Sequence, residues 1–471
     1  MCTNTHMESS STEYGLYSAP TARPFSWRPP ALLLVSAATL LLGSHAFPRL
    51  AALNAVPAPF VYDYCQAPPP HMGGADNLQL VRMAVVARHG DRSPLVKYVG
   101  RDSYNAWGDC ERCKSSGLWD SACGGGGACY VGQLTDKGQD QLRAVGRAIR
   151  NAFEGHGTNE ARTRLGKRGG VSVLATHVNR TQDSARALLE GLLGSASRAA
   201  DVSIEVQQPG EKLWLYPSRG CDGLASADDA AMRAWGVAIS SGSPPVAHWA
   251  LGEKMDGDGS LPAAQLLNLN DLYQTRWCHG GFRDGWPCED TAGPSYDGTA
   301  CDHWALTHFA TVVETVQDTT CAAGGGSSAE DDRRALRLIA GRLLHEVSTF
   351  VELGKPHAAV RYFSGHDSTL VPLLSALGLW GGKAAALWPP YASTVAFEVW
   401  ADVDGAETVR VRYNGLEVFP PLMYGDGEKQ RETAGEKGGG RLSPAETRHA
   451  LRGLSMGEHE WFDACGVPHD S

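Results

Sequence analysis

An α/β fold, a mainly parallel sheet with helices on both faces plus a largely helical insertion, follows from three features of the sequence. Leu78–Ala87 (LQLVRMAVVA) is an almost unbroken apolar run, the pattern of a strand buried on both faces. Shorter apolar runs at Val171–Thr176 and Ala358–Phe363 alternate with stretches of helical periodicity, which argues for parallel strands joined through helices. All three runs lead into polar clusters: Arg88-His89-Gly90-Asp91-Arg92, His177–Arg180 and Gly365-His366-Asp367.

The elements divide the chain as follows. Residues 1–30 form an N-terminal tail carrying Arg23 and Arg28, followed at 31–47 by an uncharged apolar segment with the runs Leu32–Val35 and Leu40–Leu42. Basic residues ahead of such a segment favour a signal anchor with the N-terminus cytosolic and the remainder lumenal, and a short span suits the thinner early secretory membranes. Ser44 and Ala46 leave a cleaved signal peptide, and hence secretion, as the alternative. Residues 48–76, with Pro48, Pro57, Pro59 and Pro68–Pro70, read as a stem.

An α/β domain is expected over 77–207 and 331–471, interrupted at 208–330 by a helical insertion rich in Trp, Cys, Ala and Gly. Thr135 is placed to cap a helix in which Leu142, Val145, Ile149 and Phe153 recur at helical spacing. After Val171–Thr176 a polar loop leads to a helical stretch at Asp183–Leu193. Leu336, Ile339, Leu343, Val347 and Phe350 mark another amphipathic helix over Leu336–Val351, and Leu370–Leu377 follows the third polar cluster. Thr394–Trp400 and Val409–Tyr413 read as a hairpin added to the sheet edge, and Ser443-Pro444-Ala445-Glu446 as a capping box opening a last helix.

Charge and cysteine usage narrow the function. Lys and Arg number 42 against 52 Asp and Glu, a net charge of −10, so no bulk positive field exists to hold nucleic acid. Of 12 cysteines, 11 follow the apolar segment. Cys110-x-x-Cys113 with Cys123 and Cys129 has the spacing of a zinc site, but behind an export signal disulfides pinning a Gly-rich loop are the better reading. An odd count leaves at least one thiol free or intermolecular.

The three clusters carry the chemistry. In an open parallel sheet, segments at the carboxyl ends of different strands converge on one crevice. Arg88, Arg92 and Arg180, with His89 and His366, would form there a socket for a tetrahedral dianion, since guanidinium forks match phosphate oxygens in pairs. A histidine among arginines is held neutral, with a ring-nitrogen lone pair for attack on phosphorus. Asp367 is placed to protonate a departing alkoxide. His177, His303, His308 and His357 are expected to be structural. Asn179-Arg180-Thr181 is the only N-glycosylation sequon, and with Arg180 facing a phosphate the asparagine is expected to be too enclosed for modification.

Arg88-His89-Gly90-Asp91-Arg92-Ser93-Pro94 resembles the signature of the histidine acid phosphatases, within the histidine phosphatase superfamily. Gly365-His366-Asp367 resembles that family's second motif, and Gly132-Gln133-Leu134-Thr135 with Gly138, and Asn179-Arg180-Thr181, match two further landmarks in order. The resemblance implies a phosphoglycerate-mutase-like fold and assigns roles. His89 would be the nucleophile that becomes phosphohistidine, Arg88, Arg92, Arg180 and His366 would hold phosphoryl oxygens, and Asp367 would serve the leaving group and then water. No metal or cofactor enters that cycle. The apolar N-terminal segment, Cys278, Cys288 and Cys301 before His303, the stretch Leu370–Leu379, Phe397-Glu398-Val399-Trp400, Tyr413-Asn414-Gly415 and Phe462-Asp463-Ala464-Cys465 resemble the Golgi 2-phosphoxylose phosphatase branch. That branch implies a phosphorylated xylose of a glycan linker as substrate. Phytate or a broad set of small monoesters is the enzymatic alternative; a silent lumenal phosphosugar-binding protein and a mutase of the same superfamily are the others.

Overall fold

The computed structural model describes residues 77–93, 132–208, 329–353, 358–379, 389–424 and 441–466, with 65–68 and isolated positions at 95, 214–215, 221, 275 and 278. The expected tail, apolar segment and Cys110–Cys129 loop, most of the stem and most of the 208–330 insertion lie outside these residues. So do His303, His308 and His357.

Seven strands form one sheet in the order β3-β2-β4-β1-β5-β6-β7. They are β1 (Gln79–Arg88), β2 (Val171–Thr176), β3 (Ile204–Gln207), β4 (Val360–Gly365), β5 (Thr394–Ala401), β6 (Glu407–Tyr413) and β7 (Leu416–Val418). β3, β2, β4 and β1 run parallel, whereas β5, β6 and β7 continue the sheet antiparallel. The hairpin therefore does join the parallel part at its edge, with β5 directly against β1, and the sheet as a whole is mixed. Both faces of β1 are covered, as its continuous apolarity requires: Ala84 and Val86 enter one core cluster, Met83, Val85 and Ala87 the other.

Helices cover the two faces. The labelled helices are α1 (Asp136–His156), α2 (Asn179–Leu193), α3 (Ala329–Glu352), α4 (Asp367–Ala376), α5 (Pro444–Leu451) and α6 (Glu458–Cys465). α1 and α2 bury Leu142, Ile149, Leu188 and Leu192 against one face, while α3, α4, α5 and α6 bury Leu344, Leu373, Leu451 and Trp461 against the other. α1 starts at its predicted cap, where the Thr135 hydroxyl accepts from Gly138 N. α5 opens on the predicted capping box, with Ser443 and Glu446 bonded reciprocally.

Three helices begin ahead of the sequence reading: α3 at Ala329 rather than Leu336, α4 at Asp367 rather than Leu370, and α2, which bears on the site. The helix expected from Asp183 begins at Asn179, so only His177 and Val178 separate it from β2. The polar residues that read as a loop are its first turn: Thr181 Oγ1 donates to Val178 O at 2.8 Å and Gln182 Nε2 to His177 O at 2.9 Å. Side chains that bond to the local backbone suit helix beginnings as well as loops.

Among the described residues two disulfides join segments far apart in the chain, Cys65–Cys278 and Cys221–Cys465. Cys278 thus pairs with a residue that precedes β1. Such bonds form in oxidising compartments, which places the folded domain in the secretory pathway.

Candidate active site

Strand register brings the two histidines together. β1 and β4 pair in parallel through Arg88↔Gly365, and β2 and β4 through Ala175↔Ser364. The residues that follow Arg88 and Gly365, His89 and His366, leave the sheet side by side, and Thr176, the last residue of β2, lies next to them. His89 N donates to Gly365 O at 3.0 Å, and the two imidazoles stand edge to face with centroids 5.5 Å apart. Arg88, His89, Arg92 and His366 are all buried, Arg180 is partly so, and Asp367 keeps 24% of its side chain exposed.

The signature residues around His89 are largely scaffold. Asp91 N donates to Gln141 Oε1, and Asp91 carboxylate and carbonyl oxygens accept from Thr135 Oγ1 and Thr135 N. Ser93 and Gln133 exchange bonds through Ser93 N to Gln133 O and Gln133 N to Ser93 Oγ. Gly90 and Gly138 meet so closely that a Cβ on Gly138 would lie 2.2 Å from Asp91 O, and one on Gly90 2.3 Å from Gly138 O. Gly132, at φ +69°, adopts the left-handed conformation that glycine favours, and a Cβ there would crowd Arg180 Nη1 at 3.3 Å. These contacts dock the first motif onto the Gly132–Gly138 segment.

The tautomer and charge of His89 are set by its neighbours. Its Nδ1 lies 2.8 Å from Gly90 O, and a carbonyl only accepts, so Nδ1 carries the proton and Nε2 keeps the lone pair. Burial, followed by the charges of Arg180, Arg88 and Arg92, holds its pKa well below the usual histidine value and the ring neutral. His366 is likewise held neutral by burial and Arg180, opposed by Asp367.

Each predicted site residue lies in this cluster. Arg180 Nη2 lies 3.3 Å from His366 Nδ1, and Arg92 Nη1 donates to Ser93 O at 3.1 Å. Arg88 also has protein partners: Nη1 donates to Pro389 O at 2.5 Å, Nη2 pairs with Asp367 Oδ2 at 2.9 Å, and the guanidinium lies over the Tyr391 ring at 4.4 Å. Asp367 is the first residue of α4, and its Oδ1 accepts from Ser368 N. One expectation is corrected: Asn179 is exposed at the first position of α2, while Thr181 of the same sequon is fully buried. The helix turn points the asparagine outward while Arg180 turns toward His366.

Two features of the site were not read from the sequence. Tyr391, buried under Arg88, precedes β5 with no motif of its own. Thr176 reads in the sequence as the end of an apolar run, yet its hydroxyl lies 3.0 Å from His366 Nε2. A polar residue closing such a run beside the site is the signal that points to it.

A neutral, buried imidazole with a lone pair among three guanidiniums, at the carboxyl ends of parallel strands, defines an α/β enzyme of phosphoryl chemistry. The chain belongs to the histidine phosphatase superfamily, branch 2, whose family model matches residues 79–222 and 328–414. It is 28% identical to human testicular acid phosphatase over 330 residues, 68% of this chain and 67% of that protein. A segment of 67 residues, 14% of this chain and 13% of the relative, is 43% identical to 2-phosphoxylose phosphatase 1 of Xenopus tropicalis. Among solved structures, a phytase from Citrobacter braakii shares the fold with a TM-score of 0.52 and 14% identity, over 80% of this chain and 98% of that one. The protein is thus a phosphatase of the histidine type, a phosphomonoester hydrolase.

Proposed function

We propose that hydrolysis proceeds in two steps through a phosphohistidine on His89, with a sugar phosphate as substrate. The observation that carries the mechanism is the Nδ1–H of His89 on Gly90 O, which leaves Nε2 as the nucleophile. In the first step Nε2 bonds to phosphorus, the ester P–O bond breaks, and the departing oxygen takes a proton from the Asp367 carboxylic acid. Arg88, Arg92 and Arg180 neutralise the equatorial oxygens, and His366, neutral and 3.3 Å from Arg180 Nη2, supports them through Arg180 instead of holding an oxygen itself. In the second step water attacks phosphorus, the N–P bond breaks, and Asp367 takes the proton that water loses. Inorganic phosphate departs and Asp367 is again the acid.

A phosphorylated xylose in a glycan linker is the substrate reading supported by the short match to 2-phosphoxylose phosphatase 1. Phytate is the second reading: the phytase fold neighbours are compatible with it, but the net charge of −10 disfavours a hexaphosphate. Residues 31–47 anchor the protein in the Golgi membrane with the catalytic domain lumenal, an orientation supported by Arg23 and Arg28 and by the disulfides.

The substrate is tested by comparing kcat/KM for a 2-phosphoxylose linker glycan, phytate and p-nitrophenyl phosphate. A preference for the linker glycan is expected; a preference for phytate would overturn the choice, and turnover of none would return the protein to the phosphosugar-binding alternative.

A further inference from the structure

Behind His366 runs a chain of two hydroxyls that the catalytic reading leaves unused. His366 Nε2 lies 3.0 Å from Thr176 Oγ1, which lies 2.8 Å from Thr181 Oγ1. Thr181 Oγ1 in turn meets two carbonyls, Val178 O at 2.8 Å and Thr176 O at 3.2 Å. Thr176 and Thr181 are each 0% exposed, so no water competes for these bonds.

The direction of the chain is fixed at both ends. Carbonyl oxygens only accept, so Thr181 spends its one proton on them and must accept from Thr176. Thr176, having donated to Thr181, must accept from His366 Nε2–H. At the far side of the ring the Arg180 Nη2 group, a donor only, faces His366 Nδ1 at 3.3 Å and requires a lone pair there. Both ends therefore demand one tautomer.

We infer that Thr176 and Thr181 are positioning residues that lock His366 as the Nε2–H tautomer, so that Nδ1 holds Arg180 in place beside the phosphoryl site. This rests on the catalytic reading above but concerns neither the nucleophile nor the proton donor. Thr181 acts at one remove, because it touches neither His366 nor the reacting groups. Removing its hydroxyl strips Thr176 of its acceptor and frees that proton to turn toward Nε2, which would drive His366 to the opposite tautomer.

The test uses the full chain with 15N-labelled histidine, the His366 signals being identified by their loss in His366→Gln. Wild type should show the Nε2–H pattern, and Thr176→Val and Thr181→Val should each shift His366 toward Nδ1–H. Both should lower kcat/KM for p-nitrophenyl phosphate by about 10–100-fold, mainly through KM, whereas Thr176→Ser and Thr181→Ser should restore both readouts. If Thr176→Val fails to fold, Thr181→Val alone decides. An Nδ1–H pattern in wild type, or valine variants with unchanged tautomer and kinetics, would overturn the inference. Phosphoryl trapping on His89 in the same wild-type sample keeps the two readings apart, since its absence would remove the catalytic reading and leave the tautomer result standing.

Discussion

Nη2 of Arg88 lies 2.9 Å from Oδ2 of Asp367, joining the last residue of β1 to the first residue of α4. This pair holds a partly exposed carboxyl beside a fully buried guanidinium. A carboxyl in that position matters most when the leaving oxygen is strongly basic. Asp367→Asn should therefore lower kcat for a sugar or alkyl phosphate by about 10²–10⁴-fold. The loss for p-nitrophenyl phosphate, whose phenolate leaves unaided, should be much smaller. A kcat series over leaving groups of graded basicity checks this; equal losses across the series would remove Asp367 from the proton-donor role.

The two buried histidines make stability depend on pH. Both have folded-state pKa values well below about 6.5, the value expected in the unfolded chain, so below that pH the unfolded state binds protons that the native state does not. Their stabilisation is present above pH 6.5 and is lost as the pH falls. Asp183, pushed up to about 7 by burial, acts in the opposite sense, so the histidine effect is best read as a difference. Between pH 6.5 and 5, wild type should lose up to about 2 kcal/mol more than His366→Asn, measured from urea midpoints. A gap that does not change with pH would contradict a neutral, buried His366.

Gly138→Ala should damage the site from outside it. The added methyl would meet Asp91 O at 2.2 Å and Asp91 N at 2.8 Å, both backbone atoms that cannot rotate away. Separation of the Asp91 and Gly138 segments is expected, costing about 1–3 kcal/mol in thermal or urea unfolding and raising KM for small phosphate esters. Unchanged stability would show that the two segments are not tightly docked.

The Cys221–Cys465 bond ties α6 to the segment that follows β3, across 244 residues of sequence. Cys465→Ser should cost about 2–5 kcal/mol in unfolding experiments, and reductant should destabilise wild type by more than the variant, which retains Cys65–Cys278. A variant as stable as wild type would show that the bond contributes nothing to the fold.

Much of this architecture was legible because strand burial and helix caps leave local signatures. β1 reads from Leu78–Ala87, α1 from Thr135, and α5 from Ser443 and Glu446, since each signal lies within a few residues of the element it sets. The clusters containing Arg88, Arg180 and His366 were legible for a different reason: chemistry places polar residues at strand ends, and parallel strands share one such end. What was missed has both local and long-range causes. The start of α2 was obscured because Thr181 and Gln182 bond to backbone in a way that also suits a loop. Thr176 acquires its meaning only when β4, far along the chain, brings His366 to 3.0 Å. Asn179 was expected to share the enclosure of its neighbour Arg180, but adjacent residues at a helix start face different directions.

The central claim, nucleophilic attack by His89 Nε2, is tested most directly by mixing the enzyme with 32P-labelled p-nitrophenyl phosphate, quenching within milliseconds and mapping the bound label. The account predicts an alkali-stable, acid-labile phosphoryl group on the peptide containing His89, absent in His89→Ala, whose turnover should fall by about 10⁴-fold or more. An acid-stable adduct on another residue, or a His89→Ala variant that still turns over at a comparable rate, would contradict it.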